Sequence, residues 1–323
     1  MGIISTRLYR KFEKAKNQKI INIKELYETE KKIDEDIKTI KTFEQLESDH
    51  HPFHAAYVST QNLVSFAVEA LTTFSELDEY SKKYGKAETD YMPDYPPMSP
   101  VTKSFFTFWA YFDLRFGPDK ETIGTCFLDL SEILQIEKGM VELIRKLNAT
   151  RMGIYAHRGH CKDGSIILYE IFTHEEFRCY SVTEYQGTEG EIWLVRLAPP
   201  PFNMSDLYIT LTTPYVIYNT GQKDWEDYFD RVLPKTGINP PILAYNELMK
   251  YGLIPDYWSE YVFQAYSNYN KKAILLSGIP DKPGDLPHFN PDTGINLSEI
   301  LSKEEKKKAV EKYLKKQKKS KKK

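Results

Sequence analysis

The sequence predicts an α+β fold: N-terminal helices, a small antiparallel barrel-like sheet in the middle, C-terminal helices and a disordered basic tail. Apolar residues recur at helical spacing near the N-terminus, whereas residues 152–218 alternate short apolar runs with turn signals. The chain of 323 residues is 41% hydrophobic and 14% aromatic. This composition favours a folded globular protein of two domains or one large one.

The first helices are predicted from the spacing of apolar residues and from helix-ending signals. Residues 20–45 and 56–84 each carry an apolar stripe, and Gly85 marks the expected end of the second helix. Four prolines in residues 88–100 predict an extended connector. The aromatic run at 102–116 predicts a helix buried on most sides, with a strand as the alternative. Two short helices are expected next, at 121–134 and 137–148.

Six candidate strands follow within residues 152–218. The turn Lys162-Asp163-Gly164 predicts a hairpin, because Asp-Gly accepts the positive φ that tight hairpins need. Five or six short strands in about 65 residues are typical of a small antiparallel barrel or a strongly bent sheet. Helical patterns return after the sheet, at 222–233, 240–252 and 256–270, and KAILLSGIP predicts one more strand.

Composition divides the chain into three regions. A helical N-terminal region with its proline-rich connector occupies residues 1–100, an α+β core occupies 101–290, and a lysine-rich tail occupies 291–323. Residues 303–323 hold 12 lysines and 3 glutamates, a charge of +9, so the remaining 302 residues carry −11. Blocks of like charge stay solvated and often serve as interaction tails.

The lysine tail predicts sequence-independent attraction to a polyanion, such as nucleic acid or the ribosome, because lysines near phosphates release counterions. Improved solubility is the alternative reading, and an anionic membrane is disfavoured because no apolar face accompanies the lysines. The lysines expected to make the contact are Lys315, Lys316, Lys318, Lys319, Lys321, Lys322 and Lys323.

Cysteine usage and the lack of targeting segments favour a cytoplasmic protein. The three cysteines form no CxxC pair, which disfavours a disulfide framework. No secretory signal and no transmembrane segment is evident. Met1-Gly2 with Thr6 fits an acylation template, although an ordinary start followed by glycine is the favoured explanation.

Residues 150–200 contain a Leu-x-Glu-x-x-Thr-x-x-Glu-Phe segment from Leu168 to Phe177, followed by a Gly190-Glu191 turn and a strand with Arg196. This outline resembles the hairpin module of uncharacterised bacterial proteins, some of which carry a C-terminal SEC-C zinc motif. The longer stretch from PMSPVTKSFF onward also resembles a bacterial family without an assigned function, over at most about two thirds of the chain. The SEC-C motif itself is absent, since no cysteine follows Cys179. The resemblance implies a bacterial origin and no activity. It depends on Leu168, Glu170, Thr173, Glu176, Phe177, Gly190, Glu191 and Arg196.

Two histidine clusters are the candidates for metal binding, with zinc as the cofactor they suggest. His50, His51 and His54 lie within five residues, and a helix there would place His50 and His54 on one face. His160 and Cys161, with His157 nearby, follow a predicted strand, and imidazole with thiolate suits zinc or a nucleophile–base pair. Four zinc ligands require the two clusters to meet. Otherwise the first is a helix start and the second an ordinary hairpin loop.

Asp113 and Arg115 interrupt the aromatic run, and buried charges are rare unless paired. They are two residues apart and would not face each other on a helix, so Glu121 or Asp119 is an expected partner. A structural ion pair is the commoner outcome. The candidate catalytic residues are Asp113, Arg115, Glu121, His157 and His160.

No G-x-S-x-G, G-x-x-x-x-G-K-[ST] or G-x-G-x-x-G motif occurs. The leading hypothesis is therefore a non-enzymatic cytosolic binding or regulatory protein with a polyanion-attracting tail and a protein or nucleic-acid partner. One alternative is a metal-dependent hydrolase or nuclease with a non-signature active site. Another is a structural subunit of a larger assembly, suggested by the tyrosine-rich segment 256–270.

Overall fold

The computed structural model describes residues 1–18, 51–92, 96, 98–201 and 205–289. The predicted α+β class, with helices before and after a central sheet, is confirmed. The predicted helix at 20–45 and the lysine tail lie outside the described residues. The helices are α1 Ile3–Gln18, α2 Pro52–Leu71, α3 Asp78–Tyr91, α4 Lys103–Phe112, α5 Ile123–Leu130, α6 Lys138–Ala149, α7 Gln222–Val232, α8 Pro241–Tyr251 and α9 Tyr257–Ala265.

The chain forms two compact units that are discontinuous in sequence. Unit 1 contains Met1–Ala87, Thr107–Thr150 and Ala198–Ser205, and unit 2 contains Glu88–Phe106, Arg151–Leu197 and Asp206–Lys323. In unit 1, α1 packs against α5, and α2 packs against α5 and α6. Their shared core is apolar, and its fully buried members include Leu8, Val64, Phe112, Ile144 and Leu147.

One predicted helix is two helices in the structure. The segment predicted at 56–84 is α2 followed by a short 3-10 turn at Ser75–Leu77 and then α3. The break comes where Phe74 adopts an extended backbone. Gly85 does not end α3, which continues to Tyr91, because a glycine costs a helix interior only about 1 kcal/mol.

Unit 2 is built on an eight-stranded sheet. Its strands are β1 Met152–His160, β2 Ile166–Glu170, β3 Glu176–Ser181, β4 Ile192–Ala198, β5 Leu207–Thr210, β6 Tyr215–Tyr218, β7 Tyr266–Tyr269 and β8 Ile274–Ser277. The first six agree with the predicted strands. Segment 266–269 was expected to continue a helix, but it leaves α9 and pairs with β8 instead.

Five strands close into a ring, which is the predicted barrel. The strand order is β1-β2-β3-β5-β4, and β1 also pairs with β4. Tyr155, Leu168, Cys179, Trp193 and Val195 fill the interior, each at most 3% exposed. The alternation of these inward residues with outward ones gives each strand its period of two.

The sheet is mixed rather than wholly antiparallel, which corrects the prediction. β3 pairs with β5 in parallel, and β6 pairs with β8 in parallel. Tight hairpins force antiparallel pairing only between consecutive strands, whereas parallel partners need a longer connection. β4 lies between β3 and β5 in the chain, and three helices lie between β6 and β8.

Helix α9 contains the first part of the tyrosine-rich segment 256–270. Tyr257, Trp258 and Tyr261 are at most 5% exposed. The hydroxyls of Tyr228 and Tyr257 are 2.8 Å apart, and the Tyr261 hydroxyl donates to the Gly278 carbonyl at 2.8 Å. These aromatics are therefore part of the core of unit 2. Among the described residues, no helix is long and apolar enough to cross a membrane.

Candidate functional site

A crevice of about 420 Å³ lies in unit 2, where the parallel strands β6 and β8 end. Tyr218 is the register partner of Ser277, so the carboxyl ends of the two strands are side by side. Ligands of α/β sheets bind at such carboxyl ends, and the volume suits a small molecule. The crevice is lined by Asn219, Thr220, Asp224, Ser277, Gly278, Ile279, Lys282 and Asp285.

Local backbone geometry shapes both walls of the crevice. The chain leaves β6 through Asn219, whose φ is +60°, and starts α7 three residues later. It leaves β8 through Gly278, whose φ is +89°. A Cβ atom at Gly278 would lie 3.0 Å from the carbonyl oxygen of Asp285, so a side chain there would be strained and crowded.

Two hydroxyl groups of the crevice have hydrogen-bonding capacity to spare. Ser277 is 8% exposed, lines the crevice, and forms no side-chain hydrogen bond with any described residue. The Thr220 hydroxyl accepts the indole N–H of Trp225 at 3.2 Å, which leaves its own proton to donate. Both residues line the crevice, so a ligand held there can form hydrogen bonds with their hydroxyls.

Charged groups stand around the hydroxyls. Asp224 accepts the Gly221 amide through Oδ2 at 3.0 Å and thereby caps the first turn of α7. Its Oδ1 is 3.8 Å from the Lys282 ammonium. With Asp285, the lining therefore carries two carboxylates and one ammonium.

Sequence reasoning missed this crevice. Its walls come from two strand ends that lie 59 positions apart, Tyr218 and Ser277, and only parallel pairing brings them together. The sequence contains only local signals for the two walls of the crevice. One short apolar strand is followed by Asn219-Thr220-Gly221 and a helix, and a second short apolar strand is followed by Ser277-Gly278.

The second histidine cluster is an ordered part of the barrel. His157 is fully buried, its Nδ1 accepts the Gly159 amide at 3.1 Å, and its Nε2 lies 2.8 Å from the Gln186 carbonyl. This pattern fixes the neutral tautomer with the proton on Nε2. His160 Nε2 reaches the same carbonyl at 3.0 Å. Burial lowers the pKa of His157 from its usual value, which favours the neutral form.

The Cys161 backbone belongs to the β1–β2 turn, where its amide donates to the Ser165 carbonyl at 2.7 Å. The first histidine cluster lies at the start of α2. His50 is outside the described residues, His51 precedes the helix, and His54 is in its first turn. The His51 Nδ1 accepts the Phe53 amide at 3.2 Å. Within the described part of the chain, no three His, Cys, Asp or Glu residues are grouped to hold a metal ion.

Glu121 is committed to the first turn of α1. Its carboxylate accepts the amides of Ile4 at 2.8 Å and Ser5 at 2.9 Å, and the Ser5 hydroxyl at 2.5 Å. Asp119 accepts the Ile3 amide at 2.8 Å. Amides of the first helical turn lack intrahelical partners, so these carboxylates accept their hydrogen bonds. The negative charges also interact favourably with the positive N-terminal end of the helix dipole.

Asp113 and Arg115 follow α4 directly. Asp113 is 6% exposed and Arg115 is half-buried, and the Arg115 carbonyl accepts the Lys83 ammonium at 2.9 Å. Both belong to unit 1, as Glu121 does, whereas His157 and His160 belong to unit 2. None of these five candidate residues lines the crevice.

A buried ion pair lies within residues 150–200, the segment for which a bacterial hairpin module is predicted. Arg151 donates to both carboxylate oxygens of Glu170, at 2.6 and 3.1 Å. The Tyr245 hydroxyl and the Thr173 hydroxyl also donate to Glu170, at 3.0 and 2.8 Å. The Arg151 guanidinium stacks on the Tyr245 ring at 4.6 Å. Every group of this pair is satisfied internally, so we assign it to the stability of unit 2.

Comparison of the chain with protein-family models, with curated proteins and with solved structures finds no match. The resemblance of residues 150–200 to a bacterial module stays a prediction.

Proposed function

We propose that this chain is a cytoplasmic, non-enzymatic binding protein that holds a small polar ligand in the crevice at the ends of β6 and β8. The observation that carries the proposal is the crevice itself: about 420 Å³, lined mainly by polar residues, with the Ser277 hydroxyl in its wall forming no hydrogen bond with a described residue. Pockets of this size with a few convergent polar groups are the usual form of small-molecule sites.

Binding is favoured over hydrolysis because the crevice lacks an activated nucleophile. Catalytic serines need a general base within hydrogen-bonding distance, and Ser277 forms no side-chain hydrogen bond with a described residue. The described residues of the lining include neither histidine nor cysteine. The predicted acid–base candidates lie elsewhere, and two of them, Glu121 and His157, already hold backbone amides in place.

We also propose that the lysine tail attracts polyanions such as nucleic acid or the ribosome. Its support is the charge of +9 over residues 303–323, set against −11 for the rest of the chain. Such attraction is strong at low salt and indifferent to sequence. The tail would bring the ligand-binding body near a polyanion without selecting one.

The crevice assignment is tested by thermal unfolding in the presence of a panel of sugars, amines, amino acids and phosphates. At least one compound is expected to raise the melting temperature of the wild-type protein. Asp285→Trp places an indole at the mouth from an exposed position, so this variant should fold and lose the shift. No shift with any compound, or equal shifts in both proteins, would refute the assignment.

A further inference from the structure

The crevice also indicates the chemical class of its ligand, an inference that rests on the proposed function. We propose that the ligand is an uncharged, hydroxyl-rich molecule of the size of one sugar ring. Three observations carry this: the Ser277 hydroxyl, which forms no hydrogen bond with a described residue, the mixture of donors and acceptors in the lining, and the presence of both charge signs there.

The Ser277 hydroxyl sets the first requirement. Ser277 both donates and accepts hydrogen bonds, and this residue, 8% exposed, lines the crevice. A ligand hydroxyl matches this group because it also donates and accepts. An ammonium group could use only the acceptor side of Ser277, and a phosphate oxygen only the donor side.

The remaining lining repeats this pattern of mixed capacity. Thr220 offers a proton, Lys282 offers donors, and the Asn219 amide offers both donors and an acceptor. The Asn219 side chain forms no hydrogen bond with a described residue. A ring carrying several hydroxyls can satisfy donors and acceptors on neighbouring atoms, which a singly charged group cannot do.

The charges of the lining disfavour an anion. The α7 N-terminus would be the natural anion site, but the Asp224 carboxylate already occupies its first turn and accepts the Gly221 amide. Asp285 adds a second negative charge. Among the described lining residues, an incoming phosphate would meet the carboxylates of Asp224 and Asp285 and the ammonium of Lys282.

The same groups disfavour a cation. The Lys282 ammonium stands 3.8 Å from Asp224 and partly neutralises it, and the amide end of α7 carries a positive partial charge. An uncharged ligand avoids both conflicts. The volume of about 420 Å³ is at the lower end of small-molecule sites, which fits one ring better than an oligosaccharide.

Isothermal titration of the full chain with D-glucose, D-galactose, D-mannose and D-ribose tests the class, with inorganic phosphate and ethylamine as charged probes. At least one sugar is expected to bind, with a Kd that changes less than about twofold between 50 and 500 mM NaCl, since charge screening hardly affects an uncharged ligand. Ser277→Ala is expected to weaken that binding by about 2- to 12-fold through loss of a hydrogen bond. Ser131→Ala, at the C-terminus of α5, is the matched control, because Ser131 is not among the residues that line the crevice.

Asp285→Asn separates the ligand classes by the sign of its effect. Removal of this exposed carboxylate is expected to change sugar binding only modestly, whereas it would strengthen phosphate binding and weaken amine binding. Binding of phosphate or ethylamine in place of every sugar overturns the proposed class but keeps the crevice as a binding site. If sugar binds with the same Kd in Ser277→Ala and in wild type, the assignment of the site is overturned. If no probe binds in either experiment, both proposals are overturned.

Discussion

His157 shows how a residue that resembles a metal ligand is used as a structural group. Both ring nitrogens are engaged by backbone groups, Nδ1 by the Gly159 amide and Nε2 by the Gln186 carbonyl. The ring packs on Trp193, with centroids 5.4 Å apart. Protonation of Nδ1 would remove the acceptor that Gly159 uses and place a charge in the barrel wall.

We predict that acid destabilises the protein through His157. Its pKa is lowered in the folded state, mainly by burial, so the stabilisation is complete above the unfolded value of about 6.5 and is lost as pH falls through the folded value. One proton limits the slope to about 1.4 kcal/mol per pH unit. His160, Glu189 and Glu191 are the charged neighbours that modulate the shift.

Urea unfolding at pH 7.5 and 5.5 measures this effect. His157→Gln should flatten the fall in unfolding free energy between the two pH values, even if the variant is less stable at both. His174→Gln, at an exposed position, should keep the wild-type slope. The same slope in His157→Gln and wild type would refute the role of His157.

Removal of one partner of the Arg151–Glu170 ion pair should lower the free energy of unfolding substantially. Arg151→Ala leaves the Glu170 carboxylate buried with two hydroxyl partners but no cation, and we expect a loss of about 3–5 kcal/mol in the free energy of unfolding. The exposed Arg145–Glu142 pair offers the matched control, since Arg145→Ala should cost less than about 1 kcal/mol. Equal losses in the two variants would contradict the assignment.

At the scale of elements, α1 depends on a carboxylate that is far away in the sequence. The Glu121 carboxylate accepts the amides of Ile4 and Ser5. Glu121→Gln therefore removes a negative charge that stabilises the positive end of the helix dipole, and it weakens two hydrogen bonds. We expect faster hydrogen exchange in α1, with α6 unchanged. Glu132→Gln, on an exposed position of the same unit, should leave α1 protected. Unchanged exchange of α1 in Glu121→Gln would refute the anchor.

Elements were largely predictable from the sequence where the signal was local. The Asp163-Gly164 turn and the alternation around it predicted β1 and β2, and the aromatic run predicted α4. Pairing between distant strands was not predictable, because nothing near Tyr218 specifies Ser277 as its partner. The crevice depends on that pairing, whereas the predicted chemistry depended on residue types such as His157 and Glu121, whose hydrogen bonds appear only in three dimensions.

At the scale of the whole molecule, the uneven charge predicts salt-dependent binding of polyanions. Removal of residues 303–323 should weaken binding to a single-stranded RNA oligonucleotide at 50 mM salt by at least about tenfold, and the difference should shrink at 200 mM. Replacement of the seven lysines between Lys315 and Lys323 by glutamine is the control that keeps the length. Equal retention of RNA by wild type and both variants would refute the role of the tail.

The order of the strands has a consequence for synthesis on the ribosome. The five strands of the ring all lie between Met152 and Thr210, so the barrel can close while the rest of the chain is still being made. The crevice must wait for Ser277, because β8 supplies one of its walls. A nascent chain can therefore hold a closed barrel while the 67 residues from Leu211 to Ser277 are made, and the crevice is complete only once Lys282 and Asp285 have followed the last strand.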